Sequence, residues 1–338
     1  MAKKFSTILR EASAASRRAE RERLRREREK ARQLKEAHKA QELANAVVEV
    51  EEYNSDIEAL SSPHKQCGVT VNWEQVQKAL PPSEPLKSNQ NEIKAKAARD
   101  QYVPTRMDKI LRKEKRKQIE LDDMVIEAQK KDEKLYNYAK EIFQRAYSKW
   151  KLDQTRATQI LNGDLDVYIK VLELERPFRL LEKFGVQVEV NFETPALAEV
   201  IVYVSDSTVI PNEAKTLLKS GNLSVKPVPK TKLFTIYQDH VCSIALRVSR
   251  EIFRLLPIKM LIVTVLSDLL NPSTGNLDET SILSILIPRV TMDKLNFKTL
   301  DPSDAMSNFV HHIKFSKTNG FSKVTPVSWE DLPDLNSG

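Results

Sequence analysis

Two stretches of the chain read as very long helices. Residues 1–62 contain neither proline nor glycine, and the same holds for residues 105–162. Runs of that length without a breaker predict helices of up to roughly 90 Å at 1.5 Å per residue. In the first, Phe5, Ile8, Leu9 and Ala12 form a small apolar patch at helical spacing. Residues 17–32 are almost wholly charged, and Leu34, Ala37, Ala44, Val47, Ile57 and Leu60 then restore a broken apolar stripe. In the second, Leu121, Val125, Ala128, Leu135, Ala139, Ile142 and Ala146 recur at intervals of three and four, as in a coiled coil. The simplest way to cover both stripes is to pair the two helices antiparallel, with the intervening segment as their connection. Within that segment Asn72 is placed to cap a short helix that stops before Pro81-Pro82, and Trp73 to pin it to another element.

At Gly163 the pattern changes. Asp164 opens a helix through Glu175, and a turn from Pro177 ends at Gly185. The period then becomes two: VQVEVNF, EVIVYVSD, TVIPNEAKTL and NLSVKPV read as strands. Residues 232–256 are a strong amphipathic helix, with Val241, Ile244, Ala245, Val248, Ile252, Phe253 and Leu256 on one face. IKMLIVTVL and SILSILIP are short, continuously apolar strands of the buried type. Asp301-Pro302-Ser303-Asp304 has the residues of a helix start. The expected fold class is α+β: long coiled-coil-like helices followed by a mixed-sheet α/β domain in the order helix, strand, strand, strand, helix, strand. The boundaries read as an arm at 1–62, an irregular connection at 63–104, a long helix at 105–162, a globular domain at 163–328 and a tail at 329–338.

Composition narrows the function. Only 7 glycines occur in 338 residues, and no Gly-rich phosphate loop is among them. The two cysteines, Cys67 and Cys242, cannot make a disulfide framework. No apolar stretch is long enough for a bilayer, and the N-terminus lacks the apolar core of a secretory signal, so the chain reads as cytoplasmic. The net charge of +7 is unevenly placed: residues 1–39 hold 14 Lys and Arg against 6 Asp and Glu, leaving 40 against 41 in the rest. Such an arm is suited to an acidic partner. Its candidate nucleic-acid contacts are Arg17, Arg18, Arg21, Arg25, Arg26, Arg28 and Arg32, since phosphate binding needs only a density of cations. Residues 106–118 add a second basic cluster.

The catalytic candidates are few. Glu213 and Lys215 stand two apart on a strand and so share a face. With the order of elements from 164 to 266, they resemble the Glu-x-Lys half of the PD-(D/E)XK nuclease core, over about a third of the chain. That resemblance implies a site with bound Mg or Mn, a further acid, and the lysine supporting the attacking water. The nearest upstream acid is Asp206. A tight hairpin at Asp206-Ser207 would pair Glu213 with Val200 and leave Asp206 at the tip, about 20 Å away at roughly 3.3 Å per rung. His64, Cys67, His240 and Cys242 could supply four zinc ligands, but their spacing is not that of a zinc site. No metal or other cofactor is expected outside the nuclease reading.

Four stretches, HKQCGVTVNW, EAKTLLKSGNLSVKPVPKTKLF, YQDHVCS and LDPSDAMSNFVHHIKFSKTNGF, give the chain as a whole the look of an uncharacterised bacterial family. It resembles that family in joining a charged N-terminal helical arm to an α/β domain. The resemblance implies a cytosolic bacterial protein and brings no activity with it. The reading favoured is a non-enzymatic interaction protein that self-associates or binds a protein partner through its helices, with DNA or RNA as an acidic partner of the arm. The alternatives are an active or degenerate nuclease, and a peripheral membrane adaptor using Phe5, Ile8 and Leu9.

Overall fold

The structure, a computed structural model, describes residues 2–271 and 273–329, and for residues 2–19 the helical backbone alone. In chain order the helices are α1 (Ala2–Ser61), α2 (Trp73–Lys78), α3 (Gln90–Asp100), α4 (Arg106–Ile110), α5 (Glu114–Leu161), α6 (Leu165–Glu175), α7 (Lys230–Leu255) and α8 (Arg289–Met292). The strands are β1 (Gln187–Thr194), β2 (Leu197–Tyr203), β3 (Glu213–Leu217), β4 (Leu223–Pro227), β5 (Met260–Leu270), β6 (Leu277–Pro288), β7 (Val310–Ile313), β8 (Phe315–Ser316) and β9 (Gly320–Phe321). Long helices followed by a mixed sheet with helices make this an α+β protein.

The chain packs as two compact units. One comprises the described residues of 70–175 with 255–257; the other comprises those of 1–69, 176–254 and 258–338. The two long helices therefore fall in different units and have taken other partners than each other.

In the smaller unit α5 is a spine, and the segment expected to be a connection is what lies along it. Gln154 Nε2 donates to Val76 O at 2.9 Å and Trp150 Nε1 to Ala79 O at 2.9 Å. Gln129 Nε2 reaches Glu92 at 2.8 Å, and Arg99 reaches Asp122 at 3.6 Å. Residue numbers rise along one partner as they fall along the other, so α2 and α3 run antiparallel to α5. The cap of α3 comes from α5. Asn89 makes no capping bond, and the Asp132 carboxylate instead accepts the Glu92 N–H at 2.9 Å and Asn91 Nδ2 at 2.6 Å. The Glu92 N–H above all, helped by Asn91, holds the Asp132 carboxyl below its ordinary range. Asn72 caps α2 by accepting the Gln75 N–H, and Trp73 Nε1 donates to Leu255 O at 2.6 Å. Between the regions bonded to α2 and α3, Leu135, Tyr138 and Ile142 stay exposed.

In the larger unit a five-stranded sheet has the order β1-β2-β5-β6-β7. β2 and β5 are parallel and every other neighbouring pair is antiparallel. The outer strand β1 alternates exposed and half-buried positions, whereas β6 is buried without a break from Thr280 to Ile287. That contrast is the one expected between an edge strand and a strand covered on both faces. α7 joins β2 to β5 after the β3–β4 hairpin. Its apolar face packs as its periodicity predicts, but its polar face is not solvated: residues 240–249 are all buried. A strap formed by residues 62–69 covers it.

The predicted β2–β3 hairpin does not form. Val200 pairs with Val190 of β1 and with Val263 of β5, so both edges of β2 are taken. Residues 204–212, with a 3-10 turn at 207–209 and Pro211, lead the chain away. β3 then pairs with β4 alone, in a separate two-stranded sheet. Pro211 lies outside any ladder, where its missing N–H costs nothing.

Candidate nucleic-acid interface on the N-terminal helix

α1 divides by what it touches. From Glu20 to Glu42 every side chain is exposed. From Leu43 onward one face is covered: Leu43, Ala46, Val50, Tyr53, Ile57 and Leu60 are buried or half-buried. Their spacing of 3, 4, 3, 4 and 3 keeps them on one side of the helix. β3 and β4 pack against α1. Lys215 Nζ is 2.9 Å from Glu49 Oε2, and a Cβ at Gly221, in the hairpin turn, would lie 3.0 Å from Leu43 Cδ2. Gly221 has φ +82°, a conformation that L side chains rarely adopt.

This contact places the Glu-x-Lys pair. Glu213 is exposed on β3, and Lys215 is half-buried against α1. Glu49 chiefly, with Glu52 and Glu213 adding to it, pushes the Lys215 ammonium pKa up. Three carboxylates thus surround one lysine, and the lysine is held by an ion pair to a helix. Asp206 is used elsewhere, capping the following turn by accepting the Thr208 N–H at 3.0 Å. Among the described residues no group of three or more His, Cys, Asp or Glu could hold a metal ion.

The four candidate zinc ligands have separate duties. His240 is fully buried, and its Nδ1 donates to Leu60 O at 2.7 Å. Cys242 is fully buried too, and burial pushes its thiol pKa up. His64 belongs to the strap: its Nδ1 pairs with Ser243 Oγ at 2.7 Å, and the same Oγ accepts the His64 N–H at 2.9 Å. Burial, with Lys65 and Arg250 nearby, lowers the His64 pKa to about 4. Arg250 donates to His64 O, and the buried Glu251 carboxylate is gripped by Arg247 at 2.6 Å and by Arg254. Gly68 passes so close to Arg254 that a Cβ there would stand 2.5 Å from the guanidinium carbon. Half-buried Cys67 sits beside these groups with its thiol pKa raised, first by burial and then by Glu251.

The arm carries more order than its composition suggests. Arg17 and Arg18 have side chains outside the described residues. Arg21, Arg25, Arg28 and Arg32 are all exposed and, with Lys35 and Lys39, fall at intervals of 4, 3, 4, 3 and 4. At about 100° per residue, all six lie within about 40° of one line along the helix. The acids Glu20, Glu22, Glu27, Glu29 and Glu36 lie at least about 60° from it. Two of them engage arginines that stand off the line: Arg26 with Glu22 at 2.6 Å and Arg23 with Glu27 at 3.2 Å. On the line itself only Arg32 is paired, with Glu36 at 2.9 Å. Among the described residues Arg21, Arg25, Arg28, Lys35 and Lys39 have no carboxylate partner. The intervals were visible in the sequence; counting arginines passed over them, put Arg26 in the set and left out Lys35 and Lys39.

Among the described residues no helix is long and apolar enough to cross a membrane. In comparisons with protein-family models, with curated proteins and with solved structures, the chain matches none.

Proposed function

We propose that this is a non-enzymatic interaction protein whose α/β body holds α1 by its C-terminal third and presents the preceding part as a nucleic-acid-binding arm. The observation that carries this is the line of cations from Arg21 to Lys39, five of them without a carboxylate partner. A solvated helix stabilises itself by pairing opposite charges at i, i+4; this one pairs Arg23 and Arg26 off the line and, on it, Arg32 alone among the described residues. Unneutralised guanidinium and ammonium groups gain most from displacing counterions around phosphates. The Glu213–Lys215 pair fits a clasp for α1 better than a metal site, because its lysine is engaged by Glu49.

The test is binding of DNA and RNA by the full chain, followed by fluorescence anisotropy as salt is raised. Steeply salt-dependent binding that is lost when Arg21, Arg25, Arg28 and Lys35 become glutamine supports the reading. Cleavage that requires Mg²⁺ or Mn²⁺ and disappears with Glu213→Ala or Lys215→Ala would instead make the protein a nuclease. Binding to anionic vesicles alone would make it a membrane adaptor.

Self-association has its own support in α5. Leu135 and Ile142 belong to the heptad seam and, with Tyr138, stay exposed between the regions bonded to α2 and α3. The reading expects a concentration-dependent mass by light scattering, and a monomer after Leu135→Glu with Ile142→Glu. A wild-type chain that stays monomeric at high concentration removes this part.

A further inference from the structure

Building on the nucleic-acid reading, we infer that the ligand is a double helix and that its backbone is followed by one track made of the α1 cations and Lys219 at the tip of the β3–β4 hairpin. The track is straight and of fixed length. Arg21 and Lys39 are 18 residues apart, so five turns bring Lys39 over Arg21, with about 27 Å between them. Leu43 is the next position on the same line, four residues on, and there the helix meets the hairpin turn at Gly221. Exposed Lys219 stands in that turn. The hairpin therefore sets one more cation at the end of the row, where α1 itself has turned apolar.

Three features select a duplex. First, α1 has no phenylalanine, tyrosine or tryptophan between Phe5 and Tyr53, and its one imidazole there, His38, pairs with Glu42 at 3.3 Å. A single strand is held largely by successive bases stacked on aromatic rings, each worth about 1–3 kcal/mol, and the arm has no row of such rings. Second, the described cations sit on a helix with no proline or glycine, and a duplex is equally stiff over about 30 Å. Two rigid rows of charge can meet with little ordering cost, whereas a flexible strand must be straightened. Third, an α-helix fits the major groove, about 12 Å wide. A membrane surface fits less well. Leu24, Ala31, Leu34 and Ala37 spread over about 140° of α1 and share that side with Glu20, Arg23, Glu27 and Lys30, so they form no continuous apolar face to insert among lipids.

The test uses the full chain with a labelled 30-base-pair duplex, a mixed-sequence single strand of the same length, and phosphatidylserine-containing vesicles. The duplex should bind at least tenfold tighter than the strand. The plot of log affinity against log salt should have a slope near −5, about −0.9 for each phosphate neutralised. Changing Arg21, Arg25 and Arg28 to glutamine should reduce that slope by about 2.7, and Lys219→Gln by about 0.9. The charge-matched change of Arg23, Arg26 and Lys30 to glutamine, off the line, should reduce it by less than about 1. Glutamine is close to arginine in helix propensity, and circular dichroism checks that helicity is kept. A strand that binds as tightly as the duplex, or an off-line triple that costs as much as the on-line one, overturns the track while nucleic-acid binding stands. Vesicle binding with neither nucleic acid bound overturns both.

Discussion

The grip of the β3–β4 hairpin on α1 can be tested at Gly221. The residue has φ +82°, and an added Cβ would lie 3.0 Å from Leu43 Cδ2. Gly221→Ala therefore meets two penalties. The left-handed conformation costs an L residue about 1–2 kcal/mol. The close contact adds to this, by less than a backbone clash would, because the atom met is the end of a flexible side chain. Gly221→Asn separates the two, since asparagine tolerates this conformation and carries the same Cβ. Leu43→Ala removes the contact and leaves the backbone alone. Two compact units make a single unfolding free energy ill-defined, so the assay is native-state hydrogen exchange read separately over residues 43–60. Gly221→Ala is predicted to lower protection there by about 1–2 kcal/mol, and Gly221→Asn by clearly less. In the Leu43→Ala background the alanine should cost less than in the wild type, a coupling expected only between residues in contact. Additive effects, or equal harm from asparagine and alanine, would show that the hairpin turn does not rest on Leu43.

Other positions give independent checks. Ser284 is fully buried on β6, and its hydroxyl accepts the Val327 N–H at 2.9 Å and meets Thr264 Oγ1 at 2.9 Å; Ser284→Ala strands that N–H and should cost about 1–3 kcal/mol, seen as faster proteolysis around Val327. Asp132→Ala removes the carboxylate that accepts the Glu92 N–H and Asn91 Nδ2 at the start of α3 and should raise exchange at Asn91 and Glu92 selectively, while loss of protection throughout α5 would contradict a capping role. Folded His64, held down to about 4 from 6.5, stays neutral where the unfolded chain takes up a proton, so its stability contribution is lost as pH falls from 6.5 towards 4; His64→Gln should flatten the melting temperature over that range. Asp239 has the opposite sign: burial first, then Asp301, raises it to about 6 from 3.8, so stability falls as pH rises through that window, and Asp239→Asn should gain stability at pH 7 relative to pH 4.

What could be read from the sequence was the direction of each face, and what could not was its partner. Freedom from proline and glycine gave α1 nearly to the residue and α5 its end, but not its start: the run from residue 105 breaks after Ile110, where Arg112 has φ +51°, and α5 begins at Glu114. Period two and continuous apolar runs gave β1 to β6 but not the short β7, β8 and β9, and Asn72 gave its cap. The heptad stripe of α5 said that something covers it. It did not say that the cover is residues 72–100, because that choice rests on single bonds such as Asp132 to the Glu92 N–H, and these have no periodicity. The register of β3 failed for a related reason. A hairpin between neighbouring strands is the usual local solution, but β2 meets β1 and β5 on its two sides, and the β5 partner of each β2 residue lies 63 residues downstream. The polar face of α7 resembled a solvated one, since buried His240, Arg247 and Glu251 look in sequence like any surface residues; but Leu60 O meets His240, Arg247 and Glu251 pair with each other, and the strap from residues 62–69 adds the Gly68 N–H to Glu251. In the arm, charge density was plain, while its arrangement emerged once helix geometry was applied residue by residue.

The most direct measurement is the footprint of a 30-base-pair duplex on the full chain, mapped by hydrogen exchange of the backbone and by protection of lysines and arginines from chemical modification. Protection is expected at Arg21, Arg25, Arg28, Lys35 and Lys39 together with Lys219, and none at Arg23 or Lys30 on the other side of α1. Protection centred instead on the basic cluster from Arg106 to Lys117, with the arm unchanged, would contradict that expectation.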